Sequence, residues 1–180
     1  MKRSLLLVPI VLFTTVAFYQ APKPRAEDTG EAYIIPWKIP FDESGNRVIT
    51  VNQNQPVVLG ARWGTCTRGL GQAWPNHANL YYEIDGSPLL PDVRDGRAFW
   101  TAPEPSPLWD PTPCIPHTDT VWGIFWRYPI GTLTLGSHEG YLRLWIDHQV
   151  VDGGDFVDGD GLIDHYRGVL FEGTFTIVVK

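Results

Sequence analysis

Beyond its N-terminal stretch, the chain never holds an amphipathic helical period for ten residues. Short apolar runs are cut again and again by turn formers, and 18 glycines and 16 prolines make the cuts frequent. A chain so punctuated is left with short strands joined by turns. The spacing predicts strands at 47–52, 56–63, 79–84, 97–101, 121–127, 132–135, 141–146 and 173–179. In "YLRLWI", Leu142, Leu144 and Ile146 alternate with Tyr141, Arg143 and Trp145. Such alternation places one set of side chains inward and the other outward. In "GTFTIVV", Phe175 and Ile177 share a face between threonines. About eight such strands predict an all-β, antiparallel β-sandwich. The 8 tryptophans, 7 tyrosines and 8 phenylalanines offer ample area for its core.

The N-terminus reads as an address. Lys2 and Arg3 precede the apolar run "SLLLVPIVLFTTVAF" from Ser4 to Phe18. That run falls short of the roughly 20 residues a membrane span needs, and it suits the core of a signal peptide. Residues 1–21 are therefore expected to be a signal peptide, with cleavage favoured after Ala17 and weaker sites at Ala21 and Ala26. The competing reading is an uncleaved anchor. No transmembrane segment is expected after cleavage, and the mature protein is placed outside the cytoplasm, secreted or at the cell surface. Residues 22–44, polar at first, are expected to lead into a domain at 45–180.

Export bears on the cysteines. In an oxidising compartment Cys66 and Cys114 are expected to pair, closing a loop of about 49 residues worth on the order of 4 kcal/mol. Cys114 lies in "APEPSPLWDPTPCIPH", whose six prolines bar it from a central strand and mark a long surface loop. Neither cysteine stands in a nucleophile's context. The 20 acidic and 14 basic residues give a net charge of −6, which disfavours nucleic acid and anionic membranes as partners.

Two stretches carry candidate sites. "VVDGGDFVDGDGLIDHYRG" holds Asp152, Asp155, Asp158, Asp160 and Asp164 among glycines that permit tight curvature. Crowded carboxylates repel unless a cation relieves them, and calcium takes six to eight oxygen ligands from such loops. In an EF-hand register Phe156 and Arg167 would fall at the first and last ligand positions, so a full EF-hand is excluded. What remains is a partial calcium site, set against a loop whose carboxylates simply face water. The second candidate is aromatic: Trp74 ("QAWPNH") and Trp109 ("PLWDPT") sit in loops beside polar residues, where exposed rings could stack on sugars. "HEGYL" at 138–142 lacks the second histidine of a zinc-protease motif. The histidines at 77, 117, 138, 148 and 165 have no zinc-ligand spacing.

"RVITVNQNQPVVLGARW", "SHEGYLRLWI" and "FEGTFTIVV" together resemble the opening, penultimate and closing strands of bacterial immunoglobulin-like domains. The resemblance implies an immunoglobulin-like sandwich with a tyrosine corner near Tyr141. Its cysteines would staple the proline-rich loop rather than the core. The expectation is a non-enzymatic structural or interaction domain, its Asp-rich loop a candidate site for a calcium ion, with an unknown protein or glycan partner. The alternative is a carbohydrate-binding module using Trp74 and Trp109.

Overall fold

The computed structural model describes residues 30–107 and 112–180. The expected signal peptide, its cleavage site, the start of the lead-in and Trp109 lie outside the described residues.

The chain is mostly β. Strands β1 (Ala32–Ile34), β2 (Val48–Val51) and β3 (Val57–Thr65) are followed by a one-and-a-half-turn helix, α1 (Arg68–Ala73). Then come β4 (Ala78–Ile84), β5 (Ser87–Pro88), β6 (Glu104–Ser106), β7 (Val121–Gly131), β8 (Gly136–Val151) and β9 (His165–Val179). One sheet has the order β1-β3-β7-β6, the other β2-β9-β8-β4-β5. The expectation of purely antiparallel sheets needs correction: β1 runs parallel to β3, and β2 parallel to β9. Ala32, Tyr33 and Ile34 pair with Val57, Val58 and Leu59, so the stretch read as a lead-in supplies an edge strand.

The alternation read from the sequence builds the core. Leu142, Leu144 and Ile146 are buried beside Leu80, Tyr82, Phe175 and Ile177 of the same sheet. Val57, Leu59, Ala61, Ile124 and Trp126 of the other sheet close on them in one cluster. Trp126 stacks on Tyr82 across the two layers at 5.3 Å. Gly140 must be glycine, because a Cβ there would stand 2.2 Å from the Phe175 ring.

Two expected strands are absent, each for a local reason. At 97–101 the chain instead forms a 3-10 turn, Asp95–Phe99, where Gly96 O accepts the indole N–H of Trp126 at 2.6 Å. That bond draws the backbone inward, and Trp100 alone bridges to Trp126. Residues 132–135 form the connection between β7 and β8, flanked by Gly131 and Gly136 at φ 76° and 125°. Glycine alone visits such angles freely. The tyrosine corner is also not formed at Tyr141, whose hydroxyl donates to Glu172 Oε1 at 2.6 Å on the outer face.

Candidate functional site

Three segments converge at one end of the two sheets. β3 ends at Thr65 and passes through Cys66 into α1, whose first turn is capped when Leu70 N–H donates to Thr67 Oγ1 at 3.2 Å. Cys66 is bonded to Cys114. The Asp-rich connection between β8 and β9 docks against both cysteines. Cys66 N–H donates to Asp152 O at 2.7 Å, Ile115 N–H to Gly153 O at 2.9 Å, and Asp155 N–H to Pro113 O at 2.9 Å. A Cβ on Gly154 would lie 2.8 Å from Pro113 O and 3.0 Å from Cys66 Sγ, so the close approach needs glycine. The disulfide thus ties the proline-rich loop to the Asp-rich one.

Within the Asp-rich loop the carboxylates organise the backbone. Asp155 accepts from Gly159 and Gly161 N–H, both at 2.7 Å. Asp164 Oδ2 accepts from Phe156 N–H, Val157 N–H and the Tyr166 hydroxyl. Asp155, Asp158 and Asp164 each bring one carboxylate oxygen within 4.8 Å of the others, which makes them the trio able to hold a cation. The other two expected ligands stand outside that trio. Asp160 Oδ1 accepts from Leu162 N–H at 2.8 Å and has turned to the loop's own backbone. Among the described residues no ion pair reaches any of the five.

Asp152 is fully buried. Its Oδ1 accepts from Gly154 N–H at 3.1 Å, while its Oδ2 accepts no hydrogen bond within ordinary geometry among the described residues. Burial, with the nearby Asp164 charge adding to it, pushes its carboxyl up to about 6 against the opposing pull of Tyr166 and Gly154. Tyr166 responds in kind: burial first, then the Asp152 carboxylate, holds its hydroxyl well above the ordinary range. Its proton stays on the oxygen and serves Asp164 at 2.9 Å.

Beside this loop lies a cleft of about 480 Å³. Leu70, Ala73, Trp74 and His77 form one wall; Gln149, Val150, Val151 and His165 form the other. Trp74 corrects the expectation of an exposed sugar platform. It is 2% exposed, and its ring stacks on Trp63 at 4.3 Å. The stacking surface a sugar would need is occupied, and the indole N–H has no acceptor. Gln149 Nε2 lies 2.7 Å from His165 Nδ1.

The cleft opens where the sheet is incomplete, a feature with no local signal in the sequence. β4 pairs with β8 only as far as Ala78 opposite Ile146. The chain before Ala78 turns away through His77 and the 3-10 turn Trp74–Asn76. Past Ile146, β8 keeps β9 as its only strand partner among the described residues, with an irregularity between Ile146 and Val150. Residues 147–151 therefore present a bare strand edge to the cleft.

The outer face of the five-stranded sheet is, by contrast, internally engaged. Tyr81 donates to Glu83 and Tyr141 to Glu172, while Arg143 lies over the Trp145 ring. Trp145 Nε1 and Asn79 Nδ2 both donate to Asp147. Of the histidines, His138 pins two turns, its Nδ1 2.7 Å from Asp85 Oδ2 and its Nε2 2.9 Å from Thr134 O. Both contacts raise its pKa.

No family model and no curated protein matches the sequence. Among solved structures, the chain is similar to a cysteine protease inhibitor, EhICP2, from Entamoeba histolytica, at 10% identity and a TM-score of 0.29. That likeness covers 83% of this chain and 94% of the inhibitor. It is also similar to amebosin, at 9% identity and a TM-score of 0.26, covering 83% and 98% of the two chains. Likenesses this low bear neither on the fold nor on what the site does.

Proposed function

We propose that this is a non-enzymatic interaction domain of immunoglobulin-like build, working outside the cytoplasm, with its Asp-rich loop held by a structural calcium ion. One observation carries the interaction role: β8 runs on to Val151 after β4 has stopped pairing at Ile146. A bare strand edge exposes backbone donors and acceptors, and proteins cover such edges or use them to bind. The basic n-region followed by a short apolar run and the Cys66–Cys114 disulfide support an oxidising address.

The test is capture from the extracellular fraction of the source cells, comparing the wild type with Gln149→Pro. Residues 147–149 have no residue paired opposite them on β9, so proline is accommodated there while it removes one backbone donor of the segment. A partner held by the wild type and lost about tenfold by the variant, at equal melting temperature, supports the reading. Equal capture by both proteins removes it.

Calcium is the second element of the reading. The Asp155, Asp158 and Asp164 oxygens converge, and among the described residues no ion pair offsets them. At a dissociation constant of about 10⁻⁴–10⁻³ M, 10 mM calcium stabilises the fold by roughly 1.4–2.7 kcal/mol. The melting temperature then rises by roughly 3–10 °C, and a chelator reverses the rise. Asp158→Asn keeps the oxygen that accepts from Asp160 N–H and loses the response. A melt indifferent to calcium in the wild type ends the calcium reading.

A further inference from the structure

The bare edge and the cleft beside it call for the same occupant. Residues 147–151 carry β8 past the end of β4, with 147–149 bulged opposite Arg167 and regular pairing to β9 resumed at Val150 and Val151, and along a strand the N–H and C=O groups point alternately to either side. Those directed away from β9 have no strand to receive them. The adjoining cleft is mostly apolar, with Leu70, Ala73, Trp74, Val150 and Val151 beside the polar His77, Gln149 and His165, and its volume of about 480 Å³ suits one or two large side chains. A small apolar molecule would fill the cleft and leave the edge bare. An extended peptide satisfies both, lending its backbone to the edge and a side chain to the cleft.

Charge narrows the peptide's chemistry. Val151 leads directly into Asp152, and His165 follows Asp164; the segment between carries no basic residue and, besides the buried Asp152, four aspartates that reach the surface at least in part. A chain laid along the edge passes beside this acidic loop, so positive charge next to its apolar residue is favoured. We infer that the cleft between α1 and the free end of β8 binds an extended peptide by strand addition, one apolar side chain seated against Trp74 and flanking Lys or Arg facing the Asp-rich loop. The inference rests on the interaction-domain reading and names its site and partner class.

The probes are capped pentapeptides Lys-Thr-X-Thr-Lys with X as Leu, Phe or Asp. Three controls accompany them: the Leu peptide with flanking glutamates, the same peptide N-methylated on its backbone, and a free branched aliphatic amide. The readout is the amide nitrogen–proton spectrum of the whole protein. The Leu and Phe peptides are expected to shift the amides of 147–151 and His77 saturably, with dissociation constants below about 1 mM. The Asp, glutamate-flanked and N-methylated peptides bind about tenfold more weakly or worse. Ala73 is exposed, so Ala73→Trp fills the cleft without touching the core and abolishes the shifts while leaving the rest of the spectrum unchanged.

Unimpaired binding by the N-methylated peptide, or by Ala73→Trp, overturns strand addition at this cleft, as does saturation by the free amide alone. No saturable shift with any peptide overturns it too. Capture lost in Gln149→Pro alongside silent peptides would leave the interaction domain standing with a different partner class. Shifts confined to another face would leave it standing with a different site.

Discussion

Trp126→Ala is expected to cost about 4 kcal/mol of unfolding free energy, read from urea denaturation at neutral pH. Truncating a fully buried tryptophan costs about 3–5 kcal/mol in lost transfer energy and residual cavity, and here the ring joins both sheets. It is 0% exposed, stacked on Tyr82 at 5.3 Å and on Tyr128 at 5.7 Å, with Phe99 edge-on at 5.9 Å. Its indole N–H is the donor to Gly96 O, so alanine also strips the donor that holds the 3-10 turn inward and leaves the carbonyl unpaired. Trp126→Phe separates the two contributions. Most of the packing stays, the Gly96 carbonyl loses its donor, and the loss falls to about 1–3 kcal/mol. Domains are stable by about 5–15 kcal/mol in all, so the alanine variant stands close to unfolding. A loss below about 2 kcal/mol would mean that the aromatic layer is not what holds the sheets together.

Gly96 also shows where reading the sequence fails. Arg97–Thr101 has the composition of a strand, and the carbonyl that decides its path answers to a side chain 30 residues on. Leu142, Leu144 and Ile146 were legible because a half-buried strand writes its inner face into every second residue. The ends of β8 and β9 were not, since in that extension the exposed His148, His165 and Arg167 outweigh an inner face marked only by Tyr166 and Val150. β1 escaped notice for a different reason. Three residues give no period, and what makes them a strand is the parallel partner at Val57–Leu59.

The candidate site divides in the same way. Five aspartates and their glycines announce a tightly curved acidic loop. Which carboxylates converge depends on the backbone N–H groups that each has captured, and Asp160 and Asp152 are drawn off to Leu162 and Gly154. Trp74 looked like a loop residue because its neighbours are polar. Its burial comes from Trp63 at the far end of β3, a contact no local window contains. The open edge depends on where β4 stops relative to β8, which is a fact about two strands.

The second large effect belongs to the disulfide. Replacing Cys66 and Cys114 together by alanine is expected to lower stability by about 4 kcal/mol, since a bond across a sequence separation of 48 restricts the unfolded chain by about that much. Equilibrium denaturation of the double variant against the oxidised wild type measures it. The loss has a local signature as well. Gly153, Gly154 and Asp155 reach the body of the protein through Ile115, Pro113 and Cys66, residues that the disulfide holds together. Without the bond, the Asp-rich loop is fastened by single hydrogen bonds to a proline-rich segment free to move. Proteolysis under native conditions should therefore first cut the variant between Asp155 and Asp164, where Val157 and Leu162 are exposed, and calcium should protect it less than it protects the wild type. If the variant loses its 4 kcal/mol while the loop resists cleavage as before, the disulfide acts on the unfolded chain alone. The loop's shape would then come from its own aspartates. If stability is unchanged, the tie between Thr65 and the proline-rich segment is maintained by Val121 and Phe156, which pack around the sulfurs, and the bond adds nothing to it.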